Sequence, residues 1–119
     1  MKKITRLYTG PDGESHFEDI ELPLDENPIG ADIHTKPIKA TEISFRESVN
    51  VEGGGDHMGW HNAPRRQMYI MLGGSLEIEV GDGTKRLFKT GDVFLAEDTT
   101  GRGHLSRAIN RRAAIVPLV

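Results

Sequence analysis

The chain has no cysteine. That absence rules out disulfides, a thiolate nucleophile and thiolate metal ligands, and it fits the reducing cytoplasm. No apolar run approaches the ~18 residues that a bilayer span needs. The start, Met1-Lys2-Lys3, is charged, but no apolar segment follows it, so a secretory signal is not expected. A basic excess is also missing. The formal net charge is −3, which argues against a general nucleic-acid binder, because such proteins displace counterions with a basic face. The sequence shows no long stretch with a 3.6-residue period, no internal repeat and no low-complexity linker. It has no Gly-rich phosphate loop and no serine elbow, and its His, Ser and Asp residues are not spaced as a triad.

The remaining features describe a small β protein. The length, 119 residues, suits one domain over 1–119, able to bury roughly two-thirds of its unfolded surface. Leu76, Ile78 and Val80 alternate with Glu77 and Glu79, a period of two with one dry face and one wet face. Gly81-Asp82-Gly83 then supplies a tight turn, with Thr84 to Phe88 as the return strand. Thr90-Gly91-Asp92 is a second turn, and Val93 to Ala96 reads as a short buried strand. Further strands are expected at Ile4 to Thr9, Phe17 to Leu24, Ile43 to Val49 and Gln67 to Leu72. A loop is expected over Asp25 to Ala31, flexibility at Gly53-Gly54-Gly55, and a closing apolar segment from Ala113 to Val119. Many short strands at regular spacing imply a sandwich or barrel.

Chemistry-bearing residues cluster in two segments. The first runs from Gly55 through His57, Trp60, His61, Ala63, Arg65, Arg66 and Gln67 to Gly74. The second opens at Gly91-Asp92 and ends at Gly101-Arg102-Gly103-His104. In order and spacing these segments resemble the two motifs of the cupin superfamily. The first family motif is a glycine, five residues, His-x-His, three or four residues, a glutamate, six residues and a glycine. The second begins with Gly-Asp and closes near Gly-x-x-His. The resemblance implies an all-β double-stranded β-helix, the jelly-roll barrel of the cupins, with an interior pocket. It also implies a cage of three histidines and one glutamate around a metal. Here Ala63 stands in place of the second histidine and Gln67 in place of the glutamate. The second motif is about two residues longer, with Glu97-Asp98-Thr99-Thr100 where the family has a proline-containing turn.

The resemblance carries over His61 and His104 as metal ligands, with Gln67 completing or orienting the site. Two imidazoles and an amide oxygen can hold Zn²⁺, Mn²⁺, Ni²⁺ or Fe²⁺, but they supply no negative charge. Such a site would favour an anionic chelating ligand such as a hydroxy or keto acid. Metal-free, hydrogen-bonded pocket histidines remain the other reading. If Gln67 faces inward, Tyr69 and Met71 face inward with it, and Tyr69 can donate a hydrogen bond or proton. His57 shares the face of His61 if that segment is extended, or is a surface loop histidine. Arg65 or Arg66 at the mouth would pair with a substrate carboxylate; solvated strand ends are the plainer reading for that pair and for Arg111-Arg112. Glu97 and Asp98 serve as an acid or base, or as solvated turn residues. His16 and His34 read as surface histidines, and Trp60 points away from the pocket.

Two function classes follow. One is a divalent-metal-dependent enzyme of oxygenase, isomerase or lyase type acting on a small organic acid, with His61, His104 and Tyr69 at the reacting centre and Arg65, Arg66, Met71 and His57 around the substrate. The other is a metal-free pocket that binds a metabolite as a sensor or accessory protein. Histidines inside a barrel are costly unless used or paired. No membrane or nucleic-acid partner is expected. An open sheet edge or face invites pairing, so a C₂ homodimer is expected.

Overall fold

The computed structural model describes residues 3–27, 29–48 and 56–119, and of residues 56–58 the backbone alone. Val49 and Gly53 to Gly55, including the glycine that opens the first motif, lie outside the described residues, as does the side chain of His57. Eight strands follow in order: β1 Lys3–Thr9, β2 Ser15–Glu21, β3 Ser44–Glu47, β4 Asp56–His61, β5 Gln67–Glu79, β6 Lys85–Lys89, β7 Val93–Ala96 and β8 His104–Pro117. The described residues contain no helix, and so none long and apolar enough to cross a membrane. The fold is all-β.

The strands form one mixed sheet in the order β2-β1-β7-β5-β8-β3, with β4 also on β8 and β6 also on β5. Only the β1–β7 pair is parallel. The long strands β5 and β8 hold the two halves together. The first half of β5 pairs with β7 and the second half with β6, while β8 runs along both. Between the halves the β5–β8 register shifts around Gly73, and Gly74 and Asn110 face each other with positive φ, 66° and 46°. Such irregularities bend a strand and raise its twist.

That bend corrects two expectations. Gly73-Gly74 does not end a strand; it kinks β5, so that Gln67 to Leu72 and the Leu76 run belong to one element. Strand β8 likewise begins at His104, well before the apolar segment at Ala113. Its first half, Leu105 to Arg112, is mostly polar and lacks clean alternation, because the irregularity at Asn110 breaks the period.

Period-two patterning sorts the side chains. Leu7, Tyr69, Met71, Leu76, Ile78, Val80, Phe88 and Phe94 face one main core. The intervening residues Ile4, Met68 and Leu95 face the other way, with partly buried Ile20, Ile70, Val93 and Val116 packed around them. An antiparallel sheet with one solvated side would be polar there; this one is apolar on both sides.

Candidate functional site

Against the main core, strands β3, β4, β5, β7 and β8 and the residues after β4 line a partly open cavity of about 250 Å³. His61 closes β4 and His104 opens β8, and the two are cross-strand partners. Their ring centroids lie 4.3 Å apart at 61°. Gln67 and Tyr69, two residues apart on β5, line the same cavity, as the period of two predicts. The loop between β7 and β8 is tied to the end of β4. Asn62 Nδ2 donates to the carbonyls of Thr100 at 2.8 Å and Gly101 at 3.1 Å, and the Ala63 N–H donates to the Asp98 carbonyl at 3.2 Å.

Each imidazole is held through Nδ1. His61 Nδ1 donates to the Gly59 carbonyl at 2.6 Å. A carbonyl can only accept, so Nδ1 carries the proton. Burial pushes the His61 pKa below the usual imidazole value, and the bond to Gly59 opposes this only in part. His61 is therefore neutral at neutral pH, with a lone pair on Nε2. His104 Nδ1 lies 2.5 Å from Asp98 Oδ2, and Ser15 Oγ donates to the same oxygen at 2.8 Å. Asp98 is fully buried, and its other carboxylate oxygen has no donor among the described residues. The contact with Asp98 fixes the orientation of the His104 ring, with Nδ1 facing the carboxylate.

The cavity lining is also cationic. Arg46 from β3 and Arg111 from β8 line it, and no carboxylate does among the described residues. Arg111 is buried, at 8% exposure. The Tyr69 ring stacks on Phe94 at 4.6 Å between centroids, and its buried hydroxyl has no hydrogen bond among the described residues. Burial pushes the Tyr69 pKa up more than the nearby Arg111 and Arg46 pull it down. The phenol is thus a neutral O–H donor beside two guanidinium groups.

Several sequence-based assignments are corrected here. Arg65 and Arg66 do not line the cavity. Arg65 pairs with Glu42 at 3.4 Å, and Arg66 pairs with Glu97, which also takes Arg6 at 2.6 Å. The guanidinium groups at the site come instead from Arg46 and Arg111, the second of which reads in sequence as a solvated strand end. Its burial follows from the bend in β8, which the sequence pattern conceals. Met71 does face inward with Tyr69, but it is packed in the core and does not line the cavity. Asp98 is no solvated turn residue. The available signal was an acidic residue six positions before His104, in a loop with glycines at 101 and 103 to turn it inward. His57 lies on β4 opposite Arg107. His16 and His34 are surface residues bonded to Asp12 and to the Asn27 carbonyl. Trp60 lies on the outside under Arg102, whose guanidinium carbon is 3.9 Å from its ring centroid.

The proposed metal ligands His61, Gln67 and His104 all line the cavity. With Ala63 beside them they offer two neutral imidazoles and an amide. Among the described residues no group of three His, Asp or Glu side chains is placed to hold a metal. Two guanidinium groups in the same lining raise the electrostatic cost of a dication. This donor set does not fit a tightly held resident metal.

Fold and site together define an all-β protein with a small, partly open cavity lined by both apolar and polar side chains. No family model and no curated protein matches the chain. Among solved structures, the chain is similar to a crystal structure of a putative ethanolamine utilization protein Q from Salmonella typhimurium LT2. The identity is 13%, over 99% of this chain and 96% of that one, with a TM-score of 0.43. A likeness this distant bears on neither ligand nor reaction.

Proposed function

We propose that the chain is a cupin-type jelly-roll barrel, cytoplasmic, whose cavity binds a small organic anion without a resident metal. The order of the two motifs, His61 and His104 side by side, the Gly74 kink and the Gly91 turn support the fold reading. The observation that carries the ligand reading is the meeting of Arg46, Arg111 and the buried Tyr69 hydroxyl in one cavity. A carboxylate is the anion that a guanidinium and a phenol hydroxyl can both donate to. A cavity of 250 Å³ has room for about eight waters at roughly 30 Å³ each, which suits an acid of a few carbons.

The test is a titration of the protein with lactate, malate and inorganic phosphate, followed by NMR shift changes at Tyr69, His61 and His104. Saturable binding by a carboxylate is expected. Arg46 is largely exposed, so Arg46→Ala should stay folded. It should weaken binding by about 10- to 100-fold, because a charge-assisted hydrogen bond contributes about 1.5–3 kcal/mol. No shift change at about 10 mM of any of these ligands, well above a millimolar Kd, would refute the reading.

A metal-assisted version of the site, holding Zn²⁺, Mn²⁺, Ni²⁺ or Fe²⁺ on His61, Gln67 and His104, has one observation in its favour. A carboxylate behind an imidazole, as in the Asp98–His104 pair, is the usual support of a ligating histidine. A stoichiometric metal in protein purified without chelator or histidine tag would restore that version.

We also propose a homodimer. Of the two early strands expected to leave an open edge, Ile4 to Thr9 and Phe17 to Leu24, β1 pairs with both β2 and β7, and β2 ends the sheet. The partly buried apolar residues packed around Ile4, Met68 and Leu95, among them Ile20, Ile70, Val93 and Val116, are another seat for a second copy, because completing their burial excludes water from both partners. Light scattering at micromolar concentration should give twice the chain mass; a monomer would defeat the proposal.

A further inference from the structure

Resting on the anion-binding reading above, we infer that the ligand is a short-chain aliphatic monocarboxylate, with its carboxylate at Arg46, Arg111 and Tyr69 and its hydrocarbon chain against Phe94, Leu76 and Ile78. All six side chains line one cavity. Phe94 stacks on the Tyr69 ring with 4.6 Å between centroids, so the apolar wall begins beside the phenol. Leu76 and Ile78 continue that wall on β5, beyond the bend at Gly73, as cross-strand partners of Ala108 and Ser106 on β8. Phe94, Leu76 and Ile78 are each at most 2% exposed, and none has a polar atom in its side chain.

The cationic groups are placed for one anionic group. Both guanidinium groups lie close enough to the single Tyr69 hydroxyl to draw its pKa down, so they converge on one point instead of offering two separate ones. A second carboxylate on the ligand would lie away from that point, against hydrocarbon, where an ionised group without a partner is costly. A methylene chain in the same place removes apolar surface from water on both sides of the contact. Sites for small molecules commonly combine a few placed polar groups with a largely hydrophobic lining in this way.

Acetate, propionate, butyrate and succinate isolate the contribution of the chain. Each is titrated into the full-length protein in excess EDTA, so that no metal takes part, and binding is followed by NMR. Affinity should rise about fourfold per methylene from acetate to butyrate, since each buried CH₂ contributes about 0.8 kcal/mol. Succinate has a carboxylate where butyrate has its methyl group, and it should bind at least about tenfold more weakly than butyrate. Nuclear Overhauser effects should connect the butyrate methyl group to the Leu76 and Ile78 methyls or the Phe94 ring. Equal affinity for acetate and butyrate, succinate binding as tightly as butyrate, or the absence of those contacts overturns the inference. If Arg46→Ala nevertheless weakens every acid, the anion site stands and only the chain assignment falls. If none of the acids binds, or binding occurs only without EDTA, both fall.

Discussion

Replacing Gly103 with alanine should destabilise the protein by about 3 kcal/mol or more. Gly103 has a φ of 81°, in the left-handed region, and a Cβ built there would lie 2.0 Å from the His61 carbonyl oxygen. The clashing atom is backbone, on the strand that pairs with β8 at His104. It cannot swing aside as a side chain would. Relief would require parting β4 from β8 at the point where the two imidazoles meet. Gly83 is the control. Its φ is 87°, but a Cβ there would meet nothing within 4 Å, so Gly83→Ala carries the conformational cost alone, about 1 kcal/mol. Thermal unfolding of both variants separates steric overlap from backbone strain. Gly103→Ala should lower Tm by roughly 10 °C or more and Gly83→Ala by far less. Equal shifts would mean that β4 and β8 do not approach each other as described.

The Gly83 turn also shows which features of this fold are legible in the sequence. The β5–β6 hairpin is, because its signals are local. Leu76, Ile78 and Val80 alternate without interruption, and Gly81-Asp82-Gly83 fits a tight turn. The observed return strand, Lys85–Lys89, is shifted by one residue from the expected one. Gln67 and Tyr69 were likewise legible as cavity residues, since strand periodicity needs no tertiary information. Arg111 and Asp98 were not. Arg111 is turned inward by an irregularity whose cause lies on another strand, at Gly74. Asp98 is buried because Ser15, 83 positions away in sequence, and His104 meet there. An acidic residue in a polar run reads as solvated until the partners that neutralise its burial are known. Arg46 has the same character, because β3 is short, exposed and placed at the sheet edge, and only its pairing with β8 brings that side chain to the cavity. The residues visible in sequence thus describe the cavity's shape and its imidazoles, while those that set its charge became visible only with the strand pairing.

Asp98→Ala should have an effect of similar size, by a different mechanism. The carboxylate is fully buried, and one of its oxygens accepts from both Ser15 Oγ and His104 Nδ1. Ser15 opens β2 and His104 opens β8, so the bond pair joins two strands that are not neighbours in the sheet. Alanine removes the shared acceptor and leaves two donors, each on a residue less than a tenth exposed. An unsatisfied buried polar group costs about 1–3 kcal/mol, so the loss should be about 3–5 kcal/mol once the small cavity is included. Ser15→Ala removes one donor and keeps the acceptor, so it should cost about 1 kcal/mol. The double variant should then cost less than the two single losses together, because Ser15 has no acceptor left to lose; coupling of about 0.5–3 kcal/mol is typical of such contacts. The imidazole reports separately from stability. Without Asp98 nothing holds the His104 proton on Nδ1, and nitrogen-15 spectra should show the other tautomer or a mixture. Should Asp98→Ala cost under about 1 kcal/mol, with His104 still protonated at Nδ1, then Asp98 does not orient this ring.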